Sequence, residues 1–235
     1  LQQRALLFSL AGIAEKAREQ LDQAHKKQKQ EQALLALQTN QLEASFHASP
    51  AQSPHWQAVL EIIRTPQIVQ DNVREITRLI NTLLDGGQAK EAQCLIDNTA
   101  QPYPQHAGFL TAAARTAQML GNHKKAKSLA DAALEEGEES GLIPGTLAEL
   151  FFNLNEPQNA VKTGELILNH QPNDIKTLQV KAKTHYQLGD LENALDHIHL
   201  AVMISPDNTP LRRDLASMLQ TSGKWEEAYQ EWKSI

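Results

Sequence analysis

Cysteine and long apolar runs are nearly absent from this sequence. Among its 235 residues Cys94 is the one cysteine, so the chain can form neither an intrachain disulfide nor a thiolate metal cluster. A membrane-spanning helix needs roughly 20 apolar residues. The candidate stretch at residues 5–14 (ALLFSLAGIA) is too short and lacks the cleavage pattern of a signal peptide. The sequence therefore predicts no transmembrane segment.

Aromatic residues, glycine and proline are also scarce. Phe, Trp and Tyr make up 5% of the chain, which has 11 glycines and 10 prolines. The abundant residues are Ala, Leu, Gln, Glu and Lys, which all favour helices. This composition predicts an all-α protein. The net charge of −6 argues against nucleic acid as a partner, because binding to phosphates depends on clustered Lys and Arg.

Motifs that carry enzyme chemistry are missing. We find no G-x-x-x-x-G-K-[S/T], G-x-G-x-x-G, G-x-S-x-G, H-E-x-x-H or C-x-x-C. His197 and His199 are two residues apart, which on a helix separates their directions by about 200°. A helical metal pair needs a spacing of three or four residues. We therefore predict no catalytic residue, no metal site and no cofactor.

A period of 34 residues runs through the last two-thirds of the chain. One column always holds alanine, a second holds glycine or asparagine, a third is mostly alanine, and a fourth is mostly proline. A fixed period of this length predicts a stacked array of helical hairpins. The columns are Ala92, Ala126, Ala160, Ala194 and Ala228; Gly87, Gly121, Asn155, Gly189 and Gly223; Ile80, Ala114, Ala148, Ala182 and Ala216; and Pro104, Glu138, Pro172 and Pro206.

Each column has a physical role. Small side chains let two helices cross closely, since a larger one would force their axes apart. Glycine or asparagine tolerates the left-handed conformation that ends the first helix, and proline ends the second. One hairpin alone would expose an apolar face, which stacking on its neighbours buries.

The pattern resembles the tetratricopeptide repeat family over about residues 73–235. The family's two alanine-like columns and its closing proline match those above. The family also has a small residue seven positions after the alanine of the second helix, which matches Ala133 and Ala201 but not Thr99 and Ile167. The resemblance implies a right-handed α-solenoid of stacked helix-turn-helix repeats, and it specifies fold more than function. The family's early Trp is replaced by Ile76, Leu110, Pro144, Leu178 and Arg212.

Three segments are predicted. Residues 1–49 form a long polar or amphipathic helical segment, and residues 50–72 form a linker and possible degenerate repeat, in which Trp56 is expected to be a core or capping residue. The array follows at 73–235. Its copies are 73–106, 107–140, 141–174, 175–208 and an incomplete 209–235.

The N-terminal helical segment allows two interpretations. A short heptad seam runs from Leu7 to Ala24, but residues 25–32 (HKKQKQEQ) are polar all round and cannot pack on a core. We favour a helix that docks by its ends and is solvated in the middle. The alternative is a self-associating or membrane-proximal spacer.

The resemblance also implies a binding surface. In the family, repeat positions 2, 5, 9, 12 and 13 of the first helix line a concave groove. Here those positions hold five basic and two acidic residues, with the aromatic and Met side chains that interface cores favour. The family's two-carboxylate clamp is not matched, so a chaperone C-terminal tail is not expected. The candidate groove residues are Arg74, Asn81, Arg115, Met119, Glu149, Phe152, Lys176, Lys183, Tyr186 and Arg213.

These observations predict a non-enzymatic scaffold that binds a protein or peptide with acidic and apolar residues in its groove. The alternative is a regulatory or assembly repeat region of a larger enzyme or bacterial cell-envelope or secretion component. The compartment, cytoplasm or periplasm, is left open. The fifth copy stops at Ile235 before its proline column, so we expect the natural chain to continue, or another chain to cover this end. Self-association through the N-terminal helix or the C-terminal end is also possible.

Overall fold

The computed structural model describes Lys27, Lys29 and residues 54–99 and 105–235. The described residues up to 99 belong to one compact unit, and residues 105–235 form a second. Across these ranges the chain forms twelve helices and no strand, which confirms the predicted all-α class. Lys27 and Lys29 are helical. The rest of the predicted N-terminal helical segment lies outside the described residues.

The first unit contains four described helices. Trp56, in its first helix, is buried, whereas Ala58 is half-buried. The third and fourth helices pack on each other. The helices are α1 (Pro54–Ile62), α2 (Pro66–Asp71), α3 (Val73–Asp85) and α4 (Ala89–Asn98).

The second unit contains four pairs of helices. The pairs are α5 (Ala107–Met119) with α6 (His123–Ser140), α7 (Thr146–Asn153) with α8 (Pro157–His170), α9 (Ile175–Gln187) with α10 (Leu191–Ile204), and α11 (Thr209–Thr221) with α12 (Trp225–Lys233). The two helices of each pair pack on each other. Each pair also packs on the next, since α6 contacts α7, α8 contacts α9 and α10 contacts α11. This stacking of similar pairs is the predicted helical-repeat arrangement.

Alanine lies in the interior of every pair of the second unit. Ala126, Ala160 and Ala194, each near the start of the second helix of its pair, have no exposed surface, and Ala228 is 3% exposed. The small residues of the first helices are equally enclosed. These are Ala114, Ala148, Ala182 and Ala216. The alanine columns therefore mark positions where the helices approach too closely for a longer side chain.

The turn inside each pair uses one left-handed residue. Gly121, Gly189 and Gly223 have φ angles of 78–79°, and Asn155, at φ 59°, is the one non-glycine residue with positive φ among the described residues. The next residue closes the turn, as in the 2.9 Å bond from the Asp190 N–H to the His185 carbonyl. The Asp190 carboxylate then accepts the backbone N–H of Asn193 at 3.2 Å and caps α10.

The acidic stretch at residues 133–141 lies almost entirely within helix α6. Helix α6 continues through it to Ser140 and ends at Gly141, whose φ is 70°. Gly137 lies inside the helix, where a Cβ atom would approach Ile143 Cγ1 to 3.1 Å. Glycine at position 137 therefore allows this close contact and does not mark a turn. Glu138, which replaces the column proline, leaves the helix free to extend.

A buried lysine lies between the second and third pairs. Lys181 of α9 is 6% exposed, and its aliphatic stem occupies the space left by Gly164 of α8. A Cβ atom at 164 would lie 2.7 Å from Lys181 Cγ. The Lys181 Nζ atom lies 3.7 Å from the carboxylate of Glu165, whose side chain is exposed. The stem thus packs as an apolar side chain, and the Glu165 carboxylate partly balances the charge.

The alanine column predicts how the fold responds to a larger side chain. Ala194→Leu should overpack the α9–α10 crossing and lower the free energy of unfolding by roughly 1–3 kcal/mol. Lys124→Ala on the exposed face of α6 is the control and should cost less than about 0.5 kcal/mol. Urea denaturation measures both. An Ala194→Leu variant as stable as the parent would contradict the assigned crossing.

Candidate functional site

A cavity of about 200 Å³ lies between the first helices of two neighbouring pairs, α5 and α7. Its lining follows helical spacing on both sides, because residues three and four apart share one helix face. Three of its residues, Arg115, Met119 and Glu149, are candidate groove residues. The full lining is Arg115, Gln118, Met119, Thr146, Glu149, Leu150 and Asn153.

The cavity combines an apolar wall with convergent polar groups. Leu150 is buried, and Met119, 48% exposed, offers a flexible apolar surface at the end of α5. Gln118 and Asn153 contribute amides, which both donate and accept hydrogen bonds. Small-molecule sites usually measure about 300–1,000 Å³. This smaller cavity suits one or two side chains of a peptide better than a cofactor.

The first helices of the last two pairs, α9 and α11, are joined by polar contacts. Lys183 Nζ lies 3.0 Å from Asp214 Oδ2, and the Gln179 amide donates to the same oxygen at 2.6 Å. The Tyr186 hydroxyl lies 2.9 Å from Thr221 Oγ1. Asp214 therefore neutralises a lysine that the sequence analysis assigned to an acidic ligand.

Position 6 of the repeat, which is not among the family's groove positions, also lies on the surface formed by the first helices. Thr146 occupies it in the third copy and lines the cavity, and Asp214 occupies it two periods later (146 + 68 = 214). The period itself was the available signal, because a position that faces the groove in one copy is expected to face it in others. Leu150 was missed as well, since a buried leucine looks like core in the sequence.

The remaining candidates differ in exposure. Phe152 is half-buried and packs against two apolar clusters, one shared by the first and second pairs and one by the second and third. In contrast, Lys176 and Arg213 are exposed on α9 and α11. In the first unit Arg74 is exposed on α3 and Asn81 is half-buried.

Two residues at the family's groove positions are buried. Leu84, at position 12 of the first copy, and Thr111, at position 5 of the second, are 3% and 2% exposed, so they belong to the core. The orientations of α3 and α5 turn these two side chains towards the core, which the family's repeat positions alone did not predict.

Histidines cluster at the turn between α9 and α10. The rings of His185 and His197 are 5.4 Å apart, and His185 Nδ1 lies 3.1 Å from Asp190 Oδ2. His199 points away and is exposed. No group of three metal-ligating side chains occurs among the described residues.

Burial changes the ionisation of one of these rings. Removal from water lowers the pKa of His197, and the nearby Lys181 and His185 lower it further. The ring's Nδ1–H donates to the Asn193 carbonyl at 2.7 Å, which acts in the opposite direction. Hydrogen bonds from the Asn193 side chain and backbone lower the pKa of the Asp190 carboxyl. The neutral ring and the ionised carboxylate are therefore the forms that the fold favours.

Many solved structures are similar to this chain, and three of them illustrate the likeness. MamA from Desulfovibrio magneticus RS-1 (residues 41 to the end) has 15% identity and a TM-score of 0.58, covering 69% of this chain and 92% of its own. The Pseudomonas aeruginosa protein pilF has 14% identity and a TM-score of 0.60, with coverage of 70% and 76%. YrrB, described as a TPR protein with an unusual peptide-binding site, has 16% identity and a TM-score of 0.54, with coverage of 72% and 88%.

The fold is similar to that of tetratricopeptide repeat (TPR) proteins. At these identities the likeness concerns fold alone, and no family model and no curated protein matches the sequence. Within the part of the chain that the structure describes, no helix is both long and apolar enough to cross a membrane.

The His197 environment predicts a pH effect on stability. In the unfolded chain His197 is protonated near the ordinary histidine pKa of about 6.5. In the folded protein the same ring is protonated only at lower pH. The contribution of His197 to the free energy of unfolding is therefore complete above about pH 7, and it is lost as the pH falls towards the pKa of His197 in the folded protein. His197→Gln should reduce the loss of unfolding free energy between about pH 7.5 and 5.5.

His199→Gln is the matched control, because that ring is exposed on the same helix. It should leave the pH dependence of urea denaturation close to that of the parent. Equal pH slopes for the parent and the His197 variant would refute this assignment.

Proposed function

We propose that this protein is a non-enzymatic scaffold that binds a peptide or protein segment along the first helices of its second unit. The cavity between α5 and α7 is the observation that carries the proposal. It is concave, it mixes apolar and hydrogen-bonding side chains, and its size suits a side chain of a protein ligand. The TPR-like fold, which YrrB combines with a peptide-binding site, supports the same function.

An apolar ligand side chain would enter the cavity against Met119 and Leu150. Met adapts its shape to different ligand groups, which makes it common on binding surfaces. Gln118 and Asn153 would bond the ligand's backbone, because an amide matches both the N–H and the C=O of a peptide. The apolar contact then supplies most of the affinity, and the amides fix the direction of the segment.

Charge would contribute through Lys176 more than through Lys183. Lys176 is exposed, whereas Lys183 is paired with Asp214 3.0 Å away. A ligand carboxylate near Lys183 would have to compete with that aspartate. We therefore place the acidic residue of the ligand next to Lys176 at the start of α9. Phe152 and Tyr186 would act as apolar neighbours along the same path.

Cavity binding is tested with a peptide selected on the parent protein from a random peptide library. Met119→Ala should weaken its affinity by roughly tenfold, because truncating a central apolar anchor commonly costs more than 1 kcal/mol. Met203→Ala is the control. Met203 is 76% exposed on α10, a second helix, and its loss should change affinity by less than about twofold. Titration calorimetry that gives equal affinity for both variants would exclude the cavity.

The two lysines make a separate prediction about salt. Lys176→Ala should flatten the dependence of the same affinity on ionic strength, since the charge it loses is screened by salt. Lys183→Ala should have a smaller effect because Asp214 already neutralises it. Calorimetry at low and high salt compares them. A larger effect at Lys183 would place the acidic group of the ligand over α9 and α11 instead.

A further inference from the structure

Three successive first helices of the second unit, α5, α7 and α9, end in the same kind of residue pair. In each helix the last two residues are one apolar residue and one residue with a side-chain amide. The last two residues of α11, Gln220 and Thr221, include no apolar side chain. We call the three pairs the apolar–amide row; they are Gln118 with Met119, Phe152 with Asn153, and Tyr186 with Gln187.

The three helices present these pairs on one side of the unit. Thr116, Leu150 and Thr184, each two residues before its pair, are all buried, so α5, α7 and α9 turn the same face towards the core. The residues of the pairs themselves are exposed or half-buried. Because α5 packs on α7 and α7 packs on α9, the pairs follow one another across the first helices.

The aromatic rings of the row are held in place, and its amides are available to a ligand. Phe152 packs against the apolar clusters on both sides of α7. The Tyr186 hydroxyl lies 2.9 Å from Thr221 Oγ1 of the next first helix. Three side-chain amides have no hydrogen-bond partner among the described residues, those of Gln118, Asn153 and Gln187.

The spacing of the row selects among the conformations of a bound segment. Packed helices lie about 8–10 Å apart, and a polyproline II helix presents the same face after three residues, or about 9.3 Å. A β-strand presents the same face after about 6.8 Å, which is too short. An α-helix presents it after seven residues, or about 10.5 Å, but its backbone groups are bonded internally. An α-helical ligand would therefore leave the three amides without backbone partners.

The chemistry of the row suits proline for the same reason. A polyproline II segment makes no internal hydrogen bonds, so its carbonyl oxygens are free to accept. The side-chain amides of the row can donate to them, and they need no N–H in return, which proline lacks. Aromatic-lined grooves are a recurrent way of binding such segments, because the conformation exists before binding and little entropy is lost.

We propose that the apolar–amide row binds a proline-rich segment of a partner protein in the polyproline II conformation, with one turn on each of α5, α7 and α9. The inference rests on the proposed peptide-binding function and specifies its ligand. In each turn a proline ring would lie against the apolar side chain, while a carbonyl oxygen accepts from the neighbouring amide. The proline on α5 would be the apolar group beside Met119 in the cavity.

The test uses an acetylated and amidated peptide of four Pro-Pro-Ala triplets, the triplet peptide. It has no charge, so the proposed contact of an acidic group with Lys176 plays no part. Its all-D enantiomer has the same composition and hydrophobicity but winds in the opposite hand. Titration calorimetry with the full chain should show saturable binding of the triplet peptide and at least roughly tenfold weaker binding of the enantiomer.

Variants at exposed positions identify the row. Gln187→Met removes an amide but keeps the side-chain length, and it should weaken binding of the triplet peptide several-fold. Gln158→Met, the same change on α8, is the matched control and should stay within about twofold. Tyr186→Leu should weaken binding by roughly tenfold. Tyr186→Phe, which keeps the ring, should stay within about threefold of the parent.

The inference is overturned if the triplet peptide does not bind, if its enantiomer binds equally well, or if Gln187→Met and Tyr186→Leu bind it like the parent. It is also overturned if a bridged α-helical peptide with leucine at every seventh residue binds in its place. The peptide selected from the random library separates this failure from that of the proposed function. If that peptide binds through Met119 and the triplet peptide does not, peptide binding stands and the proline-rich ligand is wrong. If the library yields no binder either, both are wrong.

Discussion

The close crossing of two helices within each pair is the constraint on which the second unit depends. At Ala126, Ala160 and Ala194 there is no exposed surface and no room for a longer side chain. Close crossing brings the apolar faces of a pair together and leaves a further face for the next pair. Because each pair packs on the next one, the cavity between α5 and α7 is set by local stacking.

Much of the fold could be predicted because the determining residues recur. A buried alanine and a left-handed glycine or asparagine have few alternatives at their positions, so they recur at a fixed period and are visible in the sequence. The length of α6 was harder to predict from the sequence. Gly137 and Gly141 look alike in the sequence, yet one allows a close helix–loop contact and the other ends the helix. Only the packing of Ile143 distinguishes them.

The candidate site was predictable in location but not in composition. The first-helix positions identified Arg115, Met119 and Glu149, which the structure brings to one cavity. The pairing of Lys183 with Asp214 depends on the rotation of α11 against α9, which a pattern of positions along one helix does not contain. The burial of Leu84 and Thr111 has the same origin. A repeat position faces the same surface in two copies only where the first helices of those copies have the same rotation.

The short helix α7 has a consequence for how the second unit opens. It has eight residues, against thirteen in each of α5, α9 and α11, and its turn uses Asn155 in a left-handed conformation that asparagine adopts less readily than glycine. In a linear array, local unfolding begins at the pair with the weakest intrinsic stability. We therefore expect faster amide hydrogen exchange in α7 than in α5, α9 and α11. The cavity spans α5 and α7, so a segment bound there as proposed would hold the two helices together, and slower exchange in α7 would report its binding.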